Sequence, residues 1–356
     1  MKKQKFNKII VYYFSGTGNA ESVANWIKKT SELRNIKTEI INISKMEKRK
    51  ITNIPKDTLI GFCSPTHGFN YPPVMMHFIF RFPKKKRNRV FLINTRAGLK
   101  FKKLFINGVS GIALLLSALI LKIKGYKIIG MRSIDLPSNW ISLHPGLNTS
   151  ANKAIFQRRK KNTIRFITKL LDGKKNYKAL TTIILDLIIA PIAILYYFVG
   201  RFALAKTFIA SKACNSCNLC VEKCPVNAIK IIDKRCFWTI KCESCMRCMN
   251  NCPTRAIETA HGFFLGVSFI VYAFILIWIK NILNIKELIE PLLSGWSEEL
   301  FYSIFETGVF FISLLLFYRL MHFLLKFKPF ERLFVLSSLT TYKFWNRYKT
   351  SKKMRE

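Results

Sequence analysis

The sequence predicts an α/β domain on a five-stranded parallel sheet, followed by a small cysteine-rich α+β domain and a C-terminal pair of apolar helices. Three observations predict it. Apolar strand patterns alternate with helical patterns through the first 135 residues, which gives a parallel sheet with helices on both faces. Eight cysteines recur at one spacing, twice, between Cys214 and Cys252. Two uncharged or nearly uncharged stretches of 19 residues then follow, near the length that crosses a bilayer.

Lys8–Phe14 is a continuous apolar strand. Before it, the basic start lacks a small-residue cleavage site and the apolar run ends in a Gly-rich loop, so this segment reads as a first strand and not a signal peptide. Asn19–Leu33 has helical spacing, with Val23, Trp26, Ile27 and Leu33 on one face. Ile36–Ile43 and Leu59–Cys63 are further strands. Pro72 and Pro73 open a helix that runs to about Phe82. Val90–Asn94 is a fourth strand, a long apolar helix runs from about Lys102 to Lys122, and Tyr126–Ser133 is the fifth strand. This first domain takes residues 1–150. Residues 151–208 hold a basic surface helix and an apolar linker helix, 209–260 the cysteine-rich domain, 261–325 a helical hairpin, and 326–356 a basic tail.

The chain has 356 residues, a net charge of +40 and 30 Phe. Such a charge attracts an anionic partner, either nucleic acid or the cytoplasmic leaflet of a membrane. Lys, Ile and Asn are all abundant, as an AT-rich genome produces. No basic run with interleaved aromatics and no zinc-finger spacing accompanies the charge, so nucleic acid has only bulk charge behind it. Nine of the ten Cys lie after residue 210. Cysteines used as metal ligands point to a reducing, cytoplasmic setting.

The cysteine block is C-x₂-C-x₂-C-x₃-C-P in tandem: Cys214, Cys217, Cys220 and Cys224-Pro225, then Cys242, Cys245, Cys248 and Cys252-Pro253. Three thiolates two residues apart wrap one corner of a [4Fe–4S] cubane, and the fourth, turned away by its proline, serves the other cluster. The expected ligand sets are Cys214, Cys217, Cys220 and Cys252 for one cluster, and Cys242, Cys245, Cys248 and Cys224 for the other. Zinc sites show two pairs separated by a longer loop instead. Each half ends alike, in Val226-Asn-Ala-Ile229 and Thr254-Arg-Ala-Ile257. Cys236 fits neither spacing and reads as packing; Trp238 reads as a cluster cover or domain contact.

Ser15-Gly16-Thr17-Gly18-Asn19-Ala20 joins the first strand to the first helix. Its backbone N–H groups, the helix N-terminus and the Ser15 and Thr17 hydroxyls suit a phosphate. It is neither a P-loop nor a dinucleotide fingerprint, so a monophosphate fits better. Two later loops, Ser64-Pro65-Thr66-His67-Gly68 onward to Tyr71 and Asn94-Thr95-Arg96-Ala97-Gly98, sit at the ends of later strands. Ligands of open α/β sheets bind beyond the strand C-termini. The three loops together are the layout of an FMN site, with phosphate on the first and isoalloxazine between the other two.

With these residues in place, the N-terminal part resembles flavodoxins. The chain to about residue 260 resembles the flavodoxin–ferredoxin fusion family, the EFR-type ferredoxins of anaerobic bacteria, also through Gly125-Tyr126 and Leu136-Pro137-Ser138-Asn139-Trp140. The resemblance implies a flavodoxin-like domain with FMN feeding a two-cluster ferredoxin domain, and supplies no substrate. Ala20 stands where many flavodoxins carry Thr, and the third loop lacks the aromatic that often stacks on the flavin.

His261–Ile279 carries no charge, and Thr307–Leu325 carries only Arg319, which reaches the nearer interface by snorkelling. Between them Lys286–Glu299 holds one Lys and four Glu. A spanning hairpin with this loop outside and the basic tail inside obeys the positive-inside rule and leaves both N-terminal domains cytoplasmic. Leu104–Leu121 is uncharged for 18 residues but lies between two strands of one sheet, so it is expected as a buried helix or one with a face on lipid. Leu187–Gly200, with Pro191, is expected as an interfacial or re-entrant helix. The expected function is a membrane-anchored flavin and iron–sulfur electron carrier with unknown donor and acceptor, protein or quinone. The alternatives are a membrane-bound redox sensor or scaffold without turnover, and a flavin reductase of a quinone or small organic substrate. No catalytic dyad is visible; His144 and His261 read as structural.

Overall fold

The computed structural model describes residues 6–46, 54–84 and 88–347. Strand β1 (Lys8–Tyr13) lies between β2 (Lys37–Asn42) and β3 (Thr58–Pro65), all parallel. Strand β4 (Arg89–Phe101) pairs in parallel with β3 and with β6 (Lys127–Pro137). Counting parallel strands alone, the order is 2-1-3-4-5, the flavodoxin-like arrangement. Helices α1 (Asn19–Glu32) and α4 (Thr149–Leu171) cover one face through Trp26, Ile27, Phe156, Phe166 and Leu170. Helices α2 (Pro73–Arg81) and α3 (Ala113–Ile123) cover the other through Met75, Ile79, Leu114 and Leu121.

Three expectations are corrected here. The stretch Asn94–Gly98 is no loop: β4 continues through it, in register with β6 as far as Gly98 opposite Pro137. Beyond the sheet, β4 turns back as a hairpin with β5 (Leu104–Ile106). The helix expected from Lys102 therefore begins only at Ala113, because the glycines Gly108 and Gly111, the latter at φ 56°, place a turn between hairpin and helix. The helix expected on the surface at 151–172 is α4, capped by the Asn148 side chain and with its apolar face in the core, so the sheet domain extends past residue 150.

The apolar linker is two helices, α5 (Lys178–Ile188) and α6 (Ala190–Ala205), bent by 80° at Pro191. Asp186 fixes the bend to the sheet domain: its carboxylate accepts from the Ser110 and Gly111 amides at 3.0 and 2.9 Å. The cysteine-rich domain follows. Its outer strands β7 (Phe208–Ala210) and β10 (Ile257–Thr259) pair antiparallel, and β8 (Ile229–Ile232) and β9 (Arg235–Trp238) form a hairpin between them. Short helices α7 (Leu219–Glu222) and α8 (Arg247–Asn251) sit at equivalent places in the two halves.

Two helices, α9 (His261–Ile282) and α11 (Trp296–Leu324), are long and apolar enough to cross a membrane. They are joined through the short α10 (Ile285–Ile289) and pack together through Val267, Val271, Leu276, Leu314 and Tyr318. Their outer faces leave Leu265, Phe269, Trp278, Ile304, Leu316 and Leu320 exposed. The basic tail is not free along its described length. Helix α12 (Lys328–Leu336) and the segment after it return to the cysteine-rich domain, where Arg347 pairs with buried Glu258 at 2.7 Å. Trp345 donates to the Ile141 carbonyl of the sheet domain.

Candidate functional site

The Gly-rich loop is built for close approach. Gly18 caps α1 at φ 103°, a conformation open to glycine, and its amide donates to the Ser15 hydroxyl at 3.1 Å. The segment after β6 braces the loop from below: Asn139 donates to the Thr17 hydroxyl, and Asn19 donates to the Pro137 carbonyl at 3.0 Å. Ser15, Gly16, Thr17, Asn19 and Ala20 line a cavity of about 220 Å³ at the carboxyl edge of the sheet. Pro65, Thr66 and Gly68 line it from β3 and its loop, and Thr95 and Arg96 from β4. The other expected residues stand behind it. Gly18 and Ser64 are outside the lining, Asn94 donates to the Thr66 hydroxyl at 2.7 Å, and Gly98 packs against Asp135. The Arg96 guanidinium is turned into the core, 2.6 Å from Asp135.

His67 is buried behind the cavity, and burial pushes it down to about 4, so it is neutral at physiological pH. Its ring lies 5.9 Å from that of Trp140, which lies 5.4 Å from Tyr196 of α6. Phe69 lines the cavity from the expected Ser64–Tyr71 loop, whereas sequence reasoning missed Trp140 and His144 in the lining, and missed Tyr196. Trp140 was within reach, since it belongs to the Pro137–Trp140 stretch that carries the family resemblance. The ring atoms of Tyr196 would meet a Cβ on Gly68 at 1.9 Å, so only glycine leaves room for that ring. The Trp140 indole N–H and the His67 Nδ1 are buried without partners. A glycine-rich loop at a helix N-terminus, with the buried, unpartnered Trp140 indole N–H in the same lining, fits a ligand with an anionic tail and a flat polar ring, as FMN has.

The cysteine block repeats in its backbone as well as its spacing. Ser216 and Asn218 have φ of 56° and 55°, and their counterparts Ser244 and Met246 have 50° and 60°. Asn227 and Arg255, three residues after the fourth cysteine of each half, have 50° and 56°. Left-handed geometry costs a non-glycine residue about 1–2 kcal/mol. Six such residues at matching positions are held because they turn the chain around a common centre. Cys214, Cys217, Cys220 and Cys252 line one cavity, together with Cys248 of the second half. In the other set Cys248 feels the charges of Cys242, Cys245 and Cys224. The chain thus brings Cys252 to the first half and Cys224 to the second. Burial pushes the Cys245 thiol up to about 12.

Among the described residues, no three Cys, His, Asp or Glu side chains converge on a point that could hold a single ion. Thiolates around a cubane each take a different iron and need not converge. The thiols accept backbone N–H bonds, from Ala228 to Cys224 at 3.2 Å and from Ser244 to Cys242 at 3.4 Å. Cys236, which fits neither ligand spacing, is buried in β9 with its Sγ 3.4 Å from that of Cys220, on the wall of the same cavity. Trp238 is fully buried against Phe208.

The two halves of the molecule meet at these sites. A Cβ on Gly16 would stand 2.7 Å from the Cys245 carbonyl and 2.8 Å from its Cβ. The Val74 amide, at the N-terminus of α2, donates to the Glu243 carboxylate at 2.9 Å. Asn250 donates to the Asn139 carbonyl at 3.1 Å.

Comparison with known proteins adds the following. The family described as "4Fe-4S binding domain" matches residues 208–230. The chain carries an iron–sulfur binding element. No curated protein matches the chain significantly. Among solved structures, a flavodoxin from the domain Archaea is 16% identical, over 46% of this chain and 97% of that one, at a TM-score of 0.30. The two-electron reduced flavodoxin of Megasphaera elsdenii is 18% identical, over 43% and 98%, at 0.29. A short-chain flavodoxin associated with a bacterial microcompartment is 17% identical, over 47% and 97%, at 0.33.

Proposed function

We propose that this protein is a membrane-anchored electron carrier that passes electrons between FMN and two [4Fe–4S] clusters, in the manner of the flavodoxin–ferredoxin fusions it resembles. The observation that carries the reading is the contact of Gly16, in the phosphate-type loop, with the backbone of Cys245. It puts the cavity of the sheet domain and the second cysteine set wall to wall. FMN when bound exchanges two electrons and releases them singly, and each cluster carries one.

The chain's own residues position and insulate. The loop amides and the Ser15 and Thr17 hydroxyls would hold the phosphate, with Trp140 in the cavity wall and Tyr196 packed against it. Cys214, Cys217, Cys220 and Cys252 hold one cluster, and Cys242, Cys245, Cys248 and Cys224 the other. The exposed apolar faces of α9 and α11 seat the molecule in lipid, with the sheet domain, the clusters and the tail on the cytoplasmic side. The donor and acceptor are proteins or a quinone. The reading is tested by iron, acid-labile sulfide and flavin counts on anaerobically purified protein. Two clusters' worth of iron and sulfide with one FMN per chain is expected; iron and sulfide without flavin would remove the two-electron entry point and leave a sensor or relay.

A further inference from the structure

A groove of about 780 Å³ opens between the β8–β9 hairpin and α11, apart from both cofactor sites. Ile312, Leu316 and Phe323 make its apolar wall. Its polar end is basic: Lys206, Lys230 and Arg319 line it against a single carboxylate, Asp233, which is already held by Lys326 at 2.9 Å. Lys206 is committed to the Trp238 carbonyl at 2.5 Å, with the Tyr318 ring 4.6 Å from its ammonium. Among the described residues, neither Arg319 nor Lys230 is paired with a carboxylate. His322, also in the lining, is 6% exposed, and its Nε2 is buried without a partner.

Depth decides what kind of anion belongs here. Arg319 lies five residues before the end of α11, about 7.5 Å along the axis at 1.5 Å per residue. In a spanning α11 with its C-terminus at the cytoplasmic face, that is headgroup level. A guanidinium there without a counter-charge is costly, and a phosphodiester matches its paired N–H donors. Basic pockets beside cytoplasmic helix ends suit anionic headgroups. A choline headgroup would bring its ammonium against three cations, so a headgroup with net negative charge fits.

We propose that this groove binds an anionic phospholipid, its phosphodiester held by Arg319 and Lys230 with His322 Nε2 facing it, and its chains along Ile312 and Leu316, on the bilayer side of Arg319. The inference rests on the membrane reading given above, and the experiment separates the two. Full-length protein in neutral detergent is titrated with short-chain phosphatidylglycerol, phosphatidylcholine of equal chain length, and inorganic phosphate, with binding read by native mass spectrometry. Phosphatidylglycerol is expected to bind best. Lys230→Gln, at an exposed strand position, should weaken it about five-fold, the equivalent of about 1 kcal/mol per surface cation. Arg319→Gln should weaken it at least as much, with iron content unchanged. Equal binding of both lipids, inorganic phosphate competing at the same concentration as lipid, or displacement by a short-chain quinone would each overturn the proposal. Flotation with neutral phosphatidylcholine vesicles is run beside it. A chain that floats but shows no lipid preference loses only the groove; a chain that does not float loses the membrane reading.

Discussion

Gly16 illustrates how much one hydrogen atom decides. Its neighbours in the loop are fixed by φ or by hydroxyl chemistry, but Gly16 is required by what lies across from it, the backbone of Cys245. Backbone cannot rotate away as a flexible side chain can, so Gly16→Ala must separate the domains locally. Overpacking of this kind costs about 1–3 kcal/mol. The variant should keep its iron and sulfide, lose stability by that amount in denaturant unfolding, and pass electrons from flavin to cluster more slowly in stopped-flow absorbance. A transfer rate equal to that of the parent chain would show that the contact does not set the path. The place of the loop was legible, because glycines and hydroxyls between a strand and a helix mark a tight turn at the carboxyl edge of the sheet, where it lines the cavity. The partner of Gly16 was not, since nothing in a sequence says which distant backbone will press on a glycine. Cys236 is the same case. Its spacing excluded it from the ligand pattern, yet strand pairing of β8 and β9 sets it beside Cys220.

At the level of elements, strands and helices that bury a face on the sheet were readable, and those fixed by buried charge were not. Asn94–Gly98 looks like a loop because Asn, Ala and Gly are poor strand signals. It is a strand because Arg96 and Arg159 converge on Asp135 of β6, at 2.6 and 3.3 Å. The Gly108 amide also donates to that carboxylate, at 2.9 Å. One carboxylate therefore holds the end of β4, the end of β6, α4 and the turn before α3. Asp135→Asn would leave two buried guanidinium groups without their counter-charge, which typically costs 3–5 kcal/mol. Urea unfolding followed by far-ultraviolet circular dichroism should show a loss of that size; a loss below about 1 kcal/mol would mean the cluster is solvated in solution. The bend in the apolar linker has a similar origin. Pro191 marks where it breaks, but Asp186, bonded to the Ser110 and Gly111 amides, ties α5 to the sheet domain and so favours a surface or re-entrant helix over a crossing.

For the molecule as a whole, the described part of the tail changes what the apolar hairpin can do. If 326–347 were a free basic segment, its side of the membrane would say little about the clusters. Instead Arg347 is buried against Glu258 and also donates to the Arg255 carbonyl at 2.9 Å, while Glu331 accepts from the Lys212 amide at 2.6 Å. The chain leaves the cysteine-rich domain at His261 and comes back to the same domain after α11. Entry and exit must then lie on one side, so α9 and α11 both cross or neither does. Lys280 pairs with Glu306 at 2.6 Å near the far ends of the two helices. The connection beyond it is acidic, with Glu287, Glu290, Glu298 and Glu299 against Lys286, whereas the near side is strongly basic; under the positive-inside rule a crossing pair would carry this connection outside. A single cysteine introduced at Leu292, which is exposed in this connection, should react with a membrane-impermeant maleimide from outside intact cells. One introduced at Leu143, exposed in the sheet domain, should react only after the cells are opened. Both positions reacting together from one side would mean that the hairpin lies along the surface, and the exposed apolar faces of α9 and α11 would then need a protein partner to cover them.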